Sequence, residues 1–147
     1  MDSTALKQEI LARFPQGVEE AGDVFGVPTL YASADVLLEL CRSVKDTPEM
    51  AFDYLMSETA VDWRDRFDVV YHLYSIRNKN YVTIKVKVDR KNPSIPSVYS
   101  IWKAADWQER EIYDMFGIDF QGHPDLRRIL LEEDWEGFPL RKDYVMK

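Results

Sequence analysis

Charged side chains crowd residues 109–130, and acid–base, metal and ion-pair chemistry are all conceivable there. The run reads Glu109-Arg110-Glu111-Ile112-Tyr113-Asp114-Met115-Phe116-Gly117, then His123-Pro124-Asp125-Leu126-Arg127-Arg128-Ile129-Leu130. Glu109 and Glu111 invite a general acid and base. Positions two apart on a helix point about 200° apart, however, so these two carboxylates cannot flank one bond. His123 with Asp119 and Asp125 could be read as a metal site, but the set has one histidine and no ligand motif. No glycine-rich phosphate loop and no Ser-His-Asp arrangement is present. Cys41 is the only cysteine, which excludes an intramolecular disulfide and any multi-cysteine zinc or iron–sulfur site within the chain. It is read as a small buried residue of a helix, and His72 as a hydrogen-bonded residue of a sheet. Ion pairing is the chemistry that remains.

The element that must position these charges is a helix from about Ala104 or Asp106 to Phe116, capped by Gly117. Glu109, Ile112 and Phe116 share one face; Trp107, Glu111 and Asp114 share a second. Arg110 and Asp114 are four apart and can pair. A carboxylate on an apolar face is costly to bury without a partner. The partner of Glu109 is therefore sought in Arg127, Arg128 or an arginine of another chain.

Upstream, Ser3 is expected to cap a first helix with Leu6, Ile10 and Phe14 on one face, ended by Pro15 and Gly17. Val18 to Gly26 is ambiguous. Val27 to Tyr31 reads as a short strand whose proline suggests a sheet edge or a strand start. Ser33 can cap a second helix to about Lys45, with Val36, Leu37, Leu40 and Val44 as its apolar stripe. Residues 51–61 are the least defined of three strand candidates. Residues 67–76 carry apolar side chains on both faces, as in a strand covered on two sides. Val82, Ile84, Val86 and Val88 alternate with polar residues, and the two runs make a β-hairpin about Asn78-Lys79-Asn80. After Asn92-Pro93 the alternation does not return.

The fold expected is therefore one α/β domain over 1–147, of α+β type. Its α/β body covers about 1–90, and a helical and irregular C-terminal segment covers about 91–147. With 46% apolar and 31% charged residues the chain has the profile of a soluble globular protein with a core. A net charge of −7 without a long basic run argues against nucleic acid. No apolar run is long enough to span a bilayer. The start, Met1-Asp2-Ser3-Thr4, is not expected to be a signal peptide.

Glu109-Arg110-Glu111, Asp114, Met115-Phe116, His123, Arg127 and Ile129-Leu130 together resemble the signature of the 30 kDa subunit family of respiratory complex I, known in bacteria as the C subunit of NADH-quinone oxidoreductase. Ser97 to Trp107, Asp134 to Tyr144 and the strand block Asp62 to Val88 agree with it; residues 1–30 resemble it least. The resemblance implies a two-layer body, with helices on a mixed, largely antiparallel sheet. It implies a non-catalytic subunit of the peripheral arm, on the cytoplasmic side of the bacterial inner membrane. There it would pack against the large hydrogenase-like (49 kDa type) subunit, near cluster-bearing small subunits. It implies no cofactor bound by this chain. The complex uses iron–sulfur clusters and quinone, with FMN and NADH as further candidates. Glu109, Arg110, Glu111, Asp114, His123, Arg127, Arg128 and Arg141 are then expected at a partner interface. Relatives commonly continue beyond the Arg-Lys-Asp-aromatic segment with a proline and an extended tail, whereas Val145-Met146-Lys147 follow here, so a shorter contact is expected. The competing readings are a homologous subunit of a membrane-bound hydrogenase or ferredoxin-type complex, and a stand-alone hydrolase using Glu109 or Glu111.

Overall fold

The computed structural model describes Met1 to Met146; Lys147 lies outside the described residues. Helix α1 (Ser3–Arg13) is capped not by Ser3 but by Asp2, whose Oδ1 accepts the Ala5 N–H at 2.8 Å. The difference is a one-residue shift, since serine and aspartate cap by the same geometry. Leu6 and Ile10 are buried and Phe14 packs against the core.

The ambiguous stretch after α1 is strand β1 (Val18–Val24), antiparallel to β2 (Val27–Ala32). Their register shifts between Ala21 and Val24, and Pro28 lies in that irregular part, at the start of β2. Pro28 thus marks a strand start and not a sheet edge, because β2 has neighbours on both sides. Ser33 leads into a single 3-10 turn (Ala34–Val36), and helix α2 (Leu37–Asp46) follows with Leu37, Leu40, Cys41 and Val44 buried.

Strands β3 (Tyr54–Asp62), β4 (Arg66–Ser75) and β5 (Asn80–Asp89) form an antiparallel meander. The five strands lie in the order β1-β2-β5-β4-β3, and the β2–β5 pair alone is parallel. The mixed, largely antiparallel sheet under helices is the architecture expected. Phe67, Val69, Tyr71 and Leu73 of β4 and Val82, Ile84, Val86 and Val88 of β5 face the helices and form the core.

The opposite face of β4 departs from expectation. Asp68 and Val70 are buried there, but Val70 lies outside the core cluster. Over Asp68 the cover is side chains of β2, of β4 itself and of the β3–β4 turn. Asp68 accepts from Tyr31 Oη (2.7 Å), Trp63 Nε1 (3.0 Å) and Arg66 Nε (2.9 Å). His72 Nδ1 meets Thr83 Oγ1 at 3.1 Å, as a sheet histidine should.

Beyond the sheet, β6 (Ser94–Pro96) pairs in parallel with β7 (Asp119–Gln121), a short ladder that the sequence pattern did not suggest. Three residues are too few to show alternation. Helix α3 (Ala105–Phe116) runs between them and packs on β3. Ile95, Val98, Ile101, Trp102, Ile112, Phe116, Ile118 and Phe120 join the same core as the sheet. Residues 122–146 have no regular structure and lie as a strap along α3.

Candidate functional site

The charged residues of α3 and the strap form one polar network. Gly117 closes the helix in the left-handed region (φ 75°) and donates its N–H to the Tyr113 carbonyl at 2.8 Å. A Cβ there would lie 2.6 Å from the Phe138 ring and 2.8 Å from Arg141 Nη2. Glycine is required both by the turn and by the close approach of the strap.

Asp114 is the centre of the network. Its carboxylate is fully buried; Oδ1 accepts from Arg128 Nη1 at 2.7 Å, and Oδ2 accepts three successive backbone amides, Ile129 (3.1 Å), Leu130 (2.7 Å) and Leu131 (2.9 Å). Burial works against the charge, but Arg128 and the three amides outweigh it and hold this carboxyl below its ordinary range. Arg128 in turn donates to the carbonyls of Asp114 (3.0 Å), Trp135 (3.0 Å) and Gly137 (2.9 Å), with its guanidinium 5.0 Å from the centre of the Phe138 ring.

The Arg110–Asp114 pair that the spacing permits is therefore not made. Arg110 is buried too, but its Nε and Nη2 donate to the carbonyls of Arg127 and Arg128 at 3.2 Å, and its guanidinium lies 5.4 Å from the Trp107 ring centre. Spacing along the helix allowed the pair; the strap supplied Asp114 with a better partner, because one arginine and three amides satisfy more of its lone pairs.

Glu109 is likewise not paired with Arg127 or Arg128. It is fully buried and accepts from Ser97 Oγ and from the Val98 N–H (3.0 Å). Burial pushes its carboxyl above the ordinary range, against hydrogen bonds that favour the charged form. Glu111 is exposed. The second helical face is thus split: Trp107 (62% exposed) and Glu111 stand in solvent, while Asp114 is covered by the strap.

His123 has a fully buried side chain; Nδ1 accepts the Asp125 N–H at 3.0 Å, so Nε2 is the donor to the Asp106 carbonyl at 3.0 Å. Both ring nitrogens are engaged: Nε2 fastens the loop after β7 to the first turn of α3, and Nδ1 ties that loop to itself. Arg127 is exposed and paired with Asp125 at 3.0 Å. Arg141 donates Nε to the Phe116 carbonyl at 2.6 Å, its guanidinium 4.9 Å from the Phe138 ring centre and 5.3 Å from that of Phe67.

A second anchor was missed by the sequence reading. Asp62, at the end of β3, accepts from Arg90 and from the amides of Arg64 (2.7 Å) and Lys142 (2.8 Å), while Arg90 reaches Asp143 at 3.1 Å. Burial opposes ionisation of Asp62, but Arg90 and the two amides bring its carboxyl down to about 2. Glu58 was missed as well. It is buried on the core side of β3, opposite α3 and on the same strand face as Asp62. The signal was present in Glu58-Thr59-Ala60-Val61-Asp62, whose alternation puts both acids on the face of Ala60, but only the register shows that this face is inward.

Comparison with known proteins adds to this geometry. The family model described as "Respiratory-chain NADH dehydrogenase, 30 Kd subunit" matches residues 30–147. The NADH-quinone oxidoreductase C subunit of Roseiflexus sp. (strain RS-1) is 40% identical over 146 residues, covering 97% of this chain and 84% of that protein. The second such C subunit of Rhizobium meliloti (strain 1021) is 42% identical over 141 residues, covering 94% and 77%. Among solved structures, the trypsin-resistant fragment (1–134) of Nqo5 superposes with a TM-score of 0.71 at 29% identity, covering 86% of this chain and all of that one. A chain of the membrane-bound sulfane sulfur reductase, an archaeal respiratory membrane complex, superposes with a TM-score of 0.80 at 26% identity, covering 97% and 85%. The residues of α3 and its strap thus lie in a chain that belongs to the 30 kDa subunit family of the respiratory-chain NADH dehydrogenase.

Proposed function

We propose that the chain is a non-catalytic subunit of the peripheral arm of a proton-pumping NADH:quinone oxidoreductase. It supports electron transfer to quinone by packing against the large hydrogenase-like (49 kDa type) subunit, beside cluster-bearing small subunits. The observation that carries this reading is the family match over residues 30–147, with relatives named as NADH-quinone oxidoreductase C subunits at 40–42% identity. The chain holds no redox group in this reading; iron–sulfur clusters, quinone, FMN and NADH belong to other subunits. Cys41 is buried in α2, where desolvation raises its thiol far above the ordinary range and suppresses the thiolate. No helix among the described residues is long and apolar enough to cross a membrane. Attachment to the cytoplasmic side of the bacterial inner membrane therefore runs through the complex.

The docking surface proposed is the outer side of α3 and its strap. Asp114, His123, Arg128 and Arg141 spend their polar groups inside the chain, so the contact falls to what they leave outside: Trp107, Glu111, Arg127, Leu130, Trp135 and Leu140, all exposed. Large exposed apolar side chains set among charges suit a protein interface.

Isolation of the complex through a tag on this chain tests the reading. Co-purification of a large hydrogenase-like subunit with NADH-dependent quinone reduction is expected. A stoichiometric flavin or cluster on the pure chain, or a tagged chain recovered without partners from membranes, overturns it. The second reading, a homologous subunit in a complex with another electron donor, gains support from the archaeal sulfane sulfur reductase neighbour. Activity with hydrogen or ferredoxin in place of NADH would decide for it.

A further inference from the structure

Glu58 and Glu109 meet where α3 packs on β3. Glu58 is 5% exposed and Glu109 is fully buried. The donors at this junction go to Glu109: Ser97 Oγ to one oxygen and the Val98 amide to the other. Both oxygens of Glu58 are buried and receive no donor from the described residues. Gln108, which could reach in from α3, instead accepts the Glu58 backbone N–H through its own Oε1. The groups that face the two acids are Tyr71 from β4, Cys41 from α2, Ser97 from the segment after β6, and His123 from the loop after β7. Among the described residues no lysine or arginine acts on Glu58, and both nitrogens of His123 are engaged by Asp125 and Asp106.

Two carboxylates cannot hydrogen-bond to one another, because neither has a proton to give. Two like charges at this depth, with no cation between them, cannot both persist. A single proton resolves both problems. On Glu58 it supplies the missing donor, satisfies an oxygen that nothing else reaches, and leaves one negative charge on the residue that has the amide and the hydroxyl.

We propose that Glu58 and Glu109 form a carboxylic acid–carboxylate pair, with Glu58 carrying the proton and donating it to Glu109, and that this proton latches α3 to the edge of the sheet. Burial and the neighbouring Glu109 both raise the Glu58 carboxyl well above its ordinary range. A carboxyl raised on folding adds stability that is fully present below its unfolded value of about 4.3 and is lost as pH rises through the folded value. Alkaline conditions therefore loosen this junction, the reverse of what Asp62 and Asp114 do in acid.

Glu58→Gln in the full chain is the test, because the glutamine amide donates to Glu109 as the acid does but cannot titrate. The wild type is expected to show a protonated-carboxyl C=O stretch in the infrared at neutral pH, and a midpoint temperature that falls as pH is raised from about 5 to about 9. In the variant the band is lost and the fall over that range is flattened. An unchanged band, or an unchanged pH profile in the variant, overturns the pair. If the variant does not fold, carboxyl-labelled glutamate NMR on the wild type decides the matter. One glutamate resonance standing still while the others titrate supports the pair; all glutamates titrating in the ordinary range overturns it.

Discussion

At the scale of single residues, the acids of this chain divide by what surrounds them and not by where they stand in the sequence. Asp114 and Glu109 lie on one helix, yet the carboxyl of one is held down by an arginine and three amides while burial raises that of the other against the donors Ser97 and Val98. Asp114→Asn keeps the shape but removes the charge that answers Arg128. Loss of about 3 kcal/mol in chemical unfolding is expected, as for a buried pair deprived of one partner. Glu111→Gln, on the exposed side, should stay within about 0.5 kcal/mol in the same measurement. Asp62 brings an acid limit. With its carboxyl near 2 in the folded chain and about 3.9 unfolded, its contribution is present above pH ~4 and lost as pH falls through ~2. Asp62→Asn should flatten that part of the stability profile, read as the midpoint temperature from about pH 5 to about pH 2. Spacing exposed the acids but not these fates. The Arg110–Asp114 spacing was correct and the pair still absent, because a strap from outside the helix won the carboxylate.

At the scale of elements, strength of pattern decided what could be read. The β4–β5 hairpin shows in Val82, Ile84, Val86 and Val88 because one face is core along its whole length. The α2 stripe shows for the same reason. Strand β1 does not show, because it is an edge strand whose Glu19, Glu20, Gly22 and Asp23 leave no apolar alternation. Edge strands carry charge for a reason, since it discourages pairing with another chain. The parallel β2–β5 contact joins residues far apart in sequence, and nothing local announces it. The turn of the β1–β2 hairpin breaks a local rule: Phe25 is fully exposed and has φ 52°, a left-handed conformation that glycine or asparagine adopts at lower cost. Phe25→Asn is expected to stabilise the free chain by about 0.5–1 kcal/mol in thermal unfolding, since it relieves both strain and exposure.

At the scale of the molecule, the proposed docking surface and the fold use opposite sides of one helix. The inner side of α3 joins the sheet, and its outer side holds a strap that presents Leu130 and Leu140 to solvent. Replacing both leucines with serine should leave unfolding within about 1 kcal/mol of the wild type. The same change should weaken recovery of the complex by more than about tenfold if these side chains are anchors, read as the yield of co-purified large subunit. The Asp114 cradle also has a kinetic meaning. The amides of residues 129–131 belong to no helix or strand, yet a buried carboxylate occupies all three. In deuterated water they should exchange slowly, at the rate at which the strap lifts from α3, as should the Leu140 and Lys142 amides bonded to Met115 and Asp62, while strap amides without such acceptors exchange fast. The three protons held by Asp114 would serve as a native clock for strap opening, in the free protein and in the assembled enzyme alike.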